Sequence, residues 1–295
     1  MVEKQTYDIA FLGHYTKDTI VSAAGTRGVD GGAFNYGSHL AIRMGLRVAA
    51  ITRLARQDFH VVDELKKLGV DVYAKATPQS TCLRLEYPTS NVDERIIYIT
   101  SSAGPFTPSE VKGITSMAFV IGASVRGEVA PEVIKELRKK ETILAVDVQG
   151  FIRINHDGKL AFKDWPEKEK VLAMVDVLKT DAVEAELLTG KKDIRTAAKQ
   201  ISDFGPKEVV LTHQEGLLVY DGRNFYEAKF YPKTLVGRSG RGDTCIGSYV
   251  ARRLNAPPPQ AMIWAAAVTS LKMEAEGPFR RDIREVEELI QKKYH

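Results

Sequence analysis

What constrains this chain most is an alternation. Short apolar runs rich in β-branched residues, at Ile9–Leu12, Val48–Thr52, Phe119–Ile121, Ile143–Val146, Val177–Lys179 and Val209–Thr212, are spaced along the sequence. Between them, apolar residues recur at three- and four-residue spacing over Asn35–Met44, Val61–Leu68, Pro131–Lys139, Glu167–Met174, Ala182–Leu188 and Ile194–Phe204. Runs of the first kind have no polar face to turn to water, so as strands they must be covered on both sides. Runs of the second kind have one apolar stripe each and supply that cover. The pattern predicts an α/β protein with a mainly parallel central sheet between two helical layers.

Two regions break the rhythm. Thr19–Val29 and Thr81–Ile99 have few helical signals, and the second reads as a hairpin turning at Ser90-Asn91-Val92-Asp93. They predict a small β-layer over segments 18–31 and 80–100, forming a lid on a single domain that spans 1–295. Leu217–Tyr220 and Phe225–Phe230, joined through Asp221-Gly222, predict an antiparallel meander at one sheet edge. Helices are expected again at Asp243–Leu254, Pro259–Glu274 and Ile283–Lys293. Pro257-Pro258-Pro259 links two of them.

Composition narrows the function. The 42 Lys and Arg are interspersed with 38 Asp and Glu, a net charge of +4, so there is no basic stripe for nucleic acid. Cys82 and Cys245 are too few for a disulfide framework and fit no metal-ligand spacing, which suits a reducing compartment. Ile9–Leu12 is too short for a signal-peptide core, and no window approaches 18 consecutive apolar residues, so a soluble cytoplasmic protein with no membrane partner is expected.

Ligands in open parallel sheets gather at the carboxyl ends of strands. The chemistry concentrates further along, at Gly237–Gly247, where Gly240 and Gly242 precede a helix expected to start near Asp243. Unpaired N–H groups at a helix start, freed of Cβ atoms, make an anion hole. A carboxylate there opposes a bound polyphosphate, a cost that makes sense if Asp243 takes a proton from an attacking hydroxyl. The plainer reading is that Asp243 is an N-cap beside an ordinary turn. Arg241 either points to solvent or folds in to offset the charge of Asp243. No P-loop Gly-x4-Gly-Lys-Ser/Thr and no Gly-x-Gly-x-x-Gly after the first strand is present, which argues against P-loop ATPases and dinucleotide dehydrogenases.

With these residues in view, the sequence resembles the ribokinase family, also called the PfkB carbohydrate kinases, nearly end to end. Gly240-Arg241-Gly242-Asp243-Thr244 matches the end of that family's C-terminal signature, with Arg241 in place of Ala. Gly31-Gly32 before a helix, followed by Leu40 and Gly45, is similar to its N-terminal signature. Glu184 to Gly190 matches its Glu-Ala-x-x-Leu-Thr-Gly element. The sequence departs from the pattern at Gly237 and Arg238, at Gln214 in Thr212-His213-Gln214, and at Asp181, where the family has Asn.

The resemblance implies a ribokinase-like three-layer fold and an ATP- and Mg2+-dependent transfer to a small polyol or sugar. Asp243 is the implied base, with Gly240, Arg241 and Gly242 as the catalytic turn. Asp18, Gly31, Gly32 and Asn35 are implied at the substrate, with Asn35 one place earlier than the family's usual Asn. Thr212 and Ala266, with Gly240 and Gly242, are implied at the nucleotide, the helix around Ala266 lying against a flat ring. Glu184 and Asp181 are implied at the metal. Asp147-Val148-Gln149-Gly150-Phe151-Ile152-Arg153 looks most like the myo-inositol kinase branch and brings Gln149 and Arg153 to the substrate. Gln149 as a structural amide and Arg153 as a solvated side chain stay open, as do weaker cleft-lining roles for His14, His213, Arg126 and Glu128. A homodimer through the β lid is a further implication. Another sugar or a nucleoside as acceptor, or a sensor that has lost catalysis, are the alternatives.

Overall fold

The computed structural model describes residues 6–89, 95–236 and 239–294. The chain opens with β1 (Thr6–Leu12), β2 (Thr16–Ser22), β3 (Gly25–Gly31), α1 (Ala33–Arg43), β4 (Val48–Ala55), α2 (His60–Lys67) and β5 (Asp71–Thr77). It continues through β6 (Thr81–Glu86), β7 (Ile96–Ser101), α3 (Pro108–Lys112), β8 (Thr115–Ile121), α4 (Pro131–Arg138) and β9 (Ile143–Asp147). Next are α5 (Gln149–Ile152), β10 (Arg153–His156), β11 (Lys159–Phe162), α6 (Lys168–Leu172), β12 (Val177–Asp181), α7 (Ala182–Thr189) and α8 (Ile194–Asp203). β13 (Glu208–Thr212), β14 (Gly216–Tyr220), β15 (Phe225–Lys229), α9 (Arg241–Arg253), α10 (Pro258–Lys272) and α11 (Ile283–Lys293) complete it.

Nine strands form the main sheet in the order β15-β14-β13-β12-β9-β8-β1-β4-β5. The strands from β13 through β5 run parallel, and β14 and β15 add the expected antiparallel meander. Because β1 is buried at every position from Ile9 to Leu12, its side chains feed both faces. On one face the core gathers apolar side chains of α4, α6, α7 and α8, and on the other those of α1, α2, α9 and α10. α11 packs outside, against α10. β5 was not foreseen, since its charged and exposed residues belong to an edge strand with a single neighbour.

The second sheet has six strands in the order β10-β11-β7-β6-β2-β3. The hairpin pairing of β6 with β7 is present, while its expected turn at Ser90–Asp93 lies outside the described residues, as do Gly237 and Arg238. β10 and β11 had no counterpart in the sequence reading. They form a hairpin whose loop is Asp157-Gly158, with φ of 50° and 85°, and join β7 through the pair Lys159↔Tyr98. Inward-facing Ile20, Leu83, Leu85 and Ile99 are buried, so the large apolar side chains of β2, β6 and β7 do not form an exposed face.

Candidate active site

The turn ahead of α9 sits where the main sheet faces the smaller one. α9 starts at Arg241, two residues earlier than expected, so Asp243 occupies the third helical position and is not the N-cap. The N-cap is Gly240 at φ 72°, a conformation other residues adopt at a cost, and any Cβ there would collide with the ring of Tyr36. Gly240 has no side chain with which to cap this helix. The N–H groups of a helix's first turn have no intrahelical acceptors, which suits a helix start of this kind to an anion. Residues 240–243 line a cavity of about 630 Å³ that reaches across to Ile96, Ile97 and the β10–β11 hairpin.

Asp243 stands half-buried at the floor of that cavity. Loss of water raises its pKa to about 7, reinforced by Asp147 and opposed by Lys179 and Arg153. Asp18, on β2 and 8% exposed, does not line that cavity, nor do Gly31, Gly32 and Asn35, but it is close enough to feel Asp243: burial raises its pKa to about 7 as well, a hydrogen bond from Thr16 opposes this, and the field of Asp243 adds to it. One oxygen of Asp18 and the Oδ1 of Asn35 are buried without a partner among the described residues. The Asn35 amide nitrogen donates to the Asp30 carbonyl at 3.2 Å. Gly31 and Gly32 leave room here: a Cβ on Gly31 would lie 2.9 Å from Asp18 Oδ2, and Gly32 caps α1 at φ 101°. Two orphaned acceptors beside a carboxylate with a raised pKa call for donors, which several hydroxyls on one small molecule provide.

A buried charge cluster lies against the turn. Lys179 Nζ lies 3.1 Å from Asp147 Oδ2, both nearly inaccessible, and a Cβ on Gly242 would come within 2.8 Å of the same ammonium. Burial disfavours that ammonium, but the fields of Asp147, Glu184 and Asp181 outweigh it and hold its pKa above the ordinary value. Arg153, 7% exposed, has an unpartnered Nε among the described residues and lies 5.6 Å from the Phe162 ring. Burial, then repulsion from Arg95, lowers its pKa to about 10, so it stays charged at neutral pH. Gln149, Thr212, His213 and Arg241 also line the cavity. Arg241 thus belongs to the site's lining, and Arg153 is buried, not solvated.

Asp181 and Glu184 are joined in a capping box: Asp181 Oδ1 accepts from the Glu184 N–H at 2.9 Å, and Glu184 Oε2 from the Asp181 N–H at 2.8 Å. Burial raises the Glu184 pKa, with Lys179 opposing. Each keeps one oxygen to offer, and no group of three or more His, Cys, Asp or Glu is arranged to hold a metal among the described residues. Asp181 lines the cavity and Glu184, 2% exposed, does not, so a divalent ion carried on a donor's phosphates would be held on the protein side by Asp181, with Glu184 orienting it through the capping box. The pair does not form a protein-built cage.

Several expected residues lie elsewhere. Ala266 is fully enclosed in the core between α10 and the sheet and does not line the cavity, because the small residues of α10 serve close helix packing. His14 is also fully buried, bonded to the Gly104 carbonyl and Thr81 Oγ1, both at 2.8 Å, so it does not line the cleft. Glu128 accepts the N–H groups of His14 and Ser124 at 2.7 and 2.8 Å and ties together the ends of β1 and β8. Arg126 clamps the carbonyls of Phe151, Lys163 and Asp164. In return, the cavity brings in Lys179, Arg95, Lys159 and Phe162, which sequence reasoning passed over. For Lys179 the signal was a charged residue inside a buried strand. For Lys159 and Phe162 it was the Asp157-Gly158 turn, and for Arg95 there was none.

The pfkB family carbohydrate kinase model matches residues 17–280, and the chain belongs to this family. Its fold is the ribokinase-like one. A pyrophosphate-dependent kinase in the ribokinase family, solved with a pyrophosphate analog and myo-inositol, is 36% identical at a TM-score of 0.87, covering 95% of this chain and 99% of that one. A sulfate complex of a pyrophosphate-dependent kinase in the ribokinase family is 37% identical at 0.88 over the same shares. Arabidopsis thaliana ribokinase with ribose and ATP shares the fold at 0.77 and 17% identity, over 97% of this chain and 99% of that one. Cytidine kinase of Thermococcus kodakarensis is 34% identical over 85 residues, 28% of this chain, and the match spans only 31% of that enzyme.

Proposed function

We propose that this kinase transfers a phosphoryl group from pyrophosphate to one hydroxyl of a cyclitol, myo-inositol first among candidates. The observation that carries the donor assignment is the lining of the cavity, where Arg95, Arg153, Lys159, Lys179 and Arg241 are found together with the anion turn. A compact tetra-anion needs that charge, whereas a nucleoside needs a flat apolar slot, and the helix expected to supply one is sealed in the core at Ala266. The similarity at 36% to a kinase solved with a pyrophosphate analog and myo-inositol supports the same reading.

In the reaction, Asp18 and Asn35 hold the acceptor's hydroxyls and turn one of them toward Asp243. The carboxylate of Asp243 takes that hydroxyl's proton as its oxygen bonds to the terminal phosphorus. The bridging P–O bond breaks, orthophosphate leaves, and the proton passes to it or to water. First-turn N–H groups of α9, with Lys179, Arg153 and Arg241, stabilise the charge on the transferring group. A divalent ion on the donor would neutralise part of its charge.

The test supplies myo-inositol with magnesium and either pyrophosphate or ATP, and follows phosphate ester together with orthophosphate or ADP. Ester at least tenfold faster with pyrophosphate is expected. Faster turnover with ATP overturns the donor assignment. Ester from ribose, fructose or cytidine but not from myo-inositol overturns the acceptor, and no ester from any pair points to a sensor.

A further inference from the structure

Lys272 carries a buried charge that the mechanism above leaves unused. It ends α10, where a lysine ordinarily reaches into solvent and offsets the negative end of the helix. Here the side chain is 2% exposed. Among the described residues no carboxylate pairs with it, and its ammonium donates to the Ala275 carbonyl at 3.1 Å. A methionine would fill the same space without the desolvation cost, so packing alone does not account for a cation.

Its surroundings point to the anion turn. Lys272 Nζ lies 5.7 Å from the centroid of the Tyr36 ring, the same ring that presses on Gly240. Lys272 and Ser239, the residue before Gly240, line a second cavity of about 290 Å³ together with Arg27 and Val29 of β3 and with Glu276. Three hydrogen bonds fasten the segment leading to the turn onto the end of α10. They run from Tyr231 N to Ser270 Oγ at 2.9 Å, from Lys233 N to Glu274 Oε1 at 2.7 Å, and from Val236 N to the Met273 carbonyl at 2.9 Å. Burial lowers the ammonium's pKa to about 8, with Glu276 and Asp243 holding it up, so it is charged at neutral pH.

We propose that Lys272 is a positioning residue for the phosphoryl donor: its ammonium, behind Tyr36 and the Ser239-Gly240 turn, holds the turn in place and adds a fixed positive charge beside the anion. The inference rests on the kinase reading, but it holds for any phosphate donor. It acts through the turn and makes no contact with the acceptor.

Lys272→Met and Lys272→Ala test it. Lys272→Met is expected to keep or raise Tm, to raise the donor KM about tenfold, and to leave the cyclitol KM within twofold. Ammonium chloride should restore part of the loss in Lys272→Ala, and tetramethylammonium chloride at equal ionic strength should not. Wild-type donor KM in Lys272→Met, or equal rises in both KM values with a lower Tm, overturns the proposal. If the wild-type protein turns over no donor, the kinase reading fails separately. Calorimetric pyrophosphate binding to wild type and Lys272→Met then decides the role of Lys272, since equal affinities refute it.

Discussion

Asp18 and Asp243 are the same chemical group under the same pressure, and what distinguishes them is position. Asp243 is beside the helix start, where the donor's terminal phosphorus would lie, while Asp18 reaches the site from β2. Asp243→Asn should lower kcat by about 10²–10⁴ and leave donor affinity within a few-fold, as calorimetry would show. Because the base must be unprotonated, kcat/KM for the acceptor should rise with pH through a break near 7, shared with Asp18, and the variant should flatten that rise. Stability runs the other way. Asp18 has a folded-state pKa raised above its unfolded value, so its favourable contribution is complete in acid and is lost as pH rises through about 7. Asp18→Asn should therefore raise Tm by roughly 2–4 °C at pH 8, with the gap shrinking toward pH 4, while acceptor binding is lost. An unchanged Tm at pH 8 would show that the raised pKa is wrong.

At the scale of elements, α9 was nearly legible. Its glycines and Asp243 marked an anion-binding helix start, but its true first residue, Arg241, depended on Gly240 taking a left-handed conformation against Tyr36, a contact 204 positions away in sequence (240 − 36). Gly240→Ala should thus act twice, through backbone strain and through the ring. A loss of about 1–3 kcal/mol in denaturant unfolding is expected, with a donor KM raised more than the acceptor KM. The β10–β11 hairpin went unread although Asp157-Gly158 is a strong turn signal, because Arg153–His156 and Lys159–Phe162 lack the apolar alternation that would mark them as strands. The local motif was visible, and its pairing with β7 was not.

The whole molecule is a three-layer body facing a smaller sheet. β11 is attached to β7 through one registered pair and the bond from Ile99 N to the Gly158 carbonyl at 2.8 Å, yet it carries Lys159 and Phe162 into the cavity. With donor and acceptor both bound, amides of 153–162 should exchange at least tenfold more slowly, and those of β1 and β8 should not change. Equal protection everywhere would argue against closure of the smaller sheet on the site.

By itself the sequence determined the alternation of strands and helices, the edge meander, the smaller β-layer and the turn that carries Asp243. Each of these follows from interactions within a dozen residues, namely periodicity, glycine tolerance and turn chemistry. The tertiary structure alone decided that Lys179 meets Asp147, that Arg153 is buried with no partner for its Nε among the described residues, that two carboxylates lose water, and that Ala266 is sealed in the core. Those are matters of desolvation and of charges brought together from distant strands, and neither quantity exists until the layers have closed.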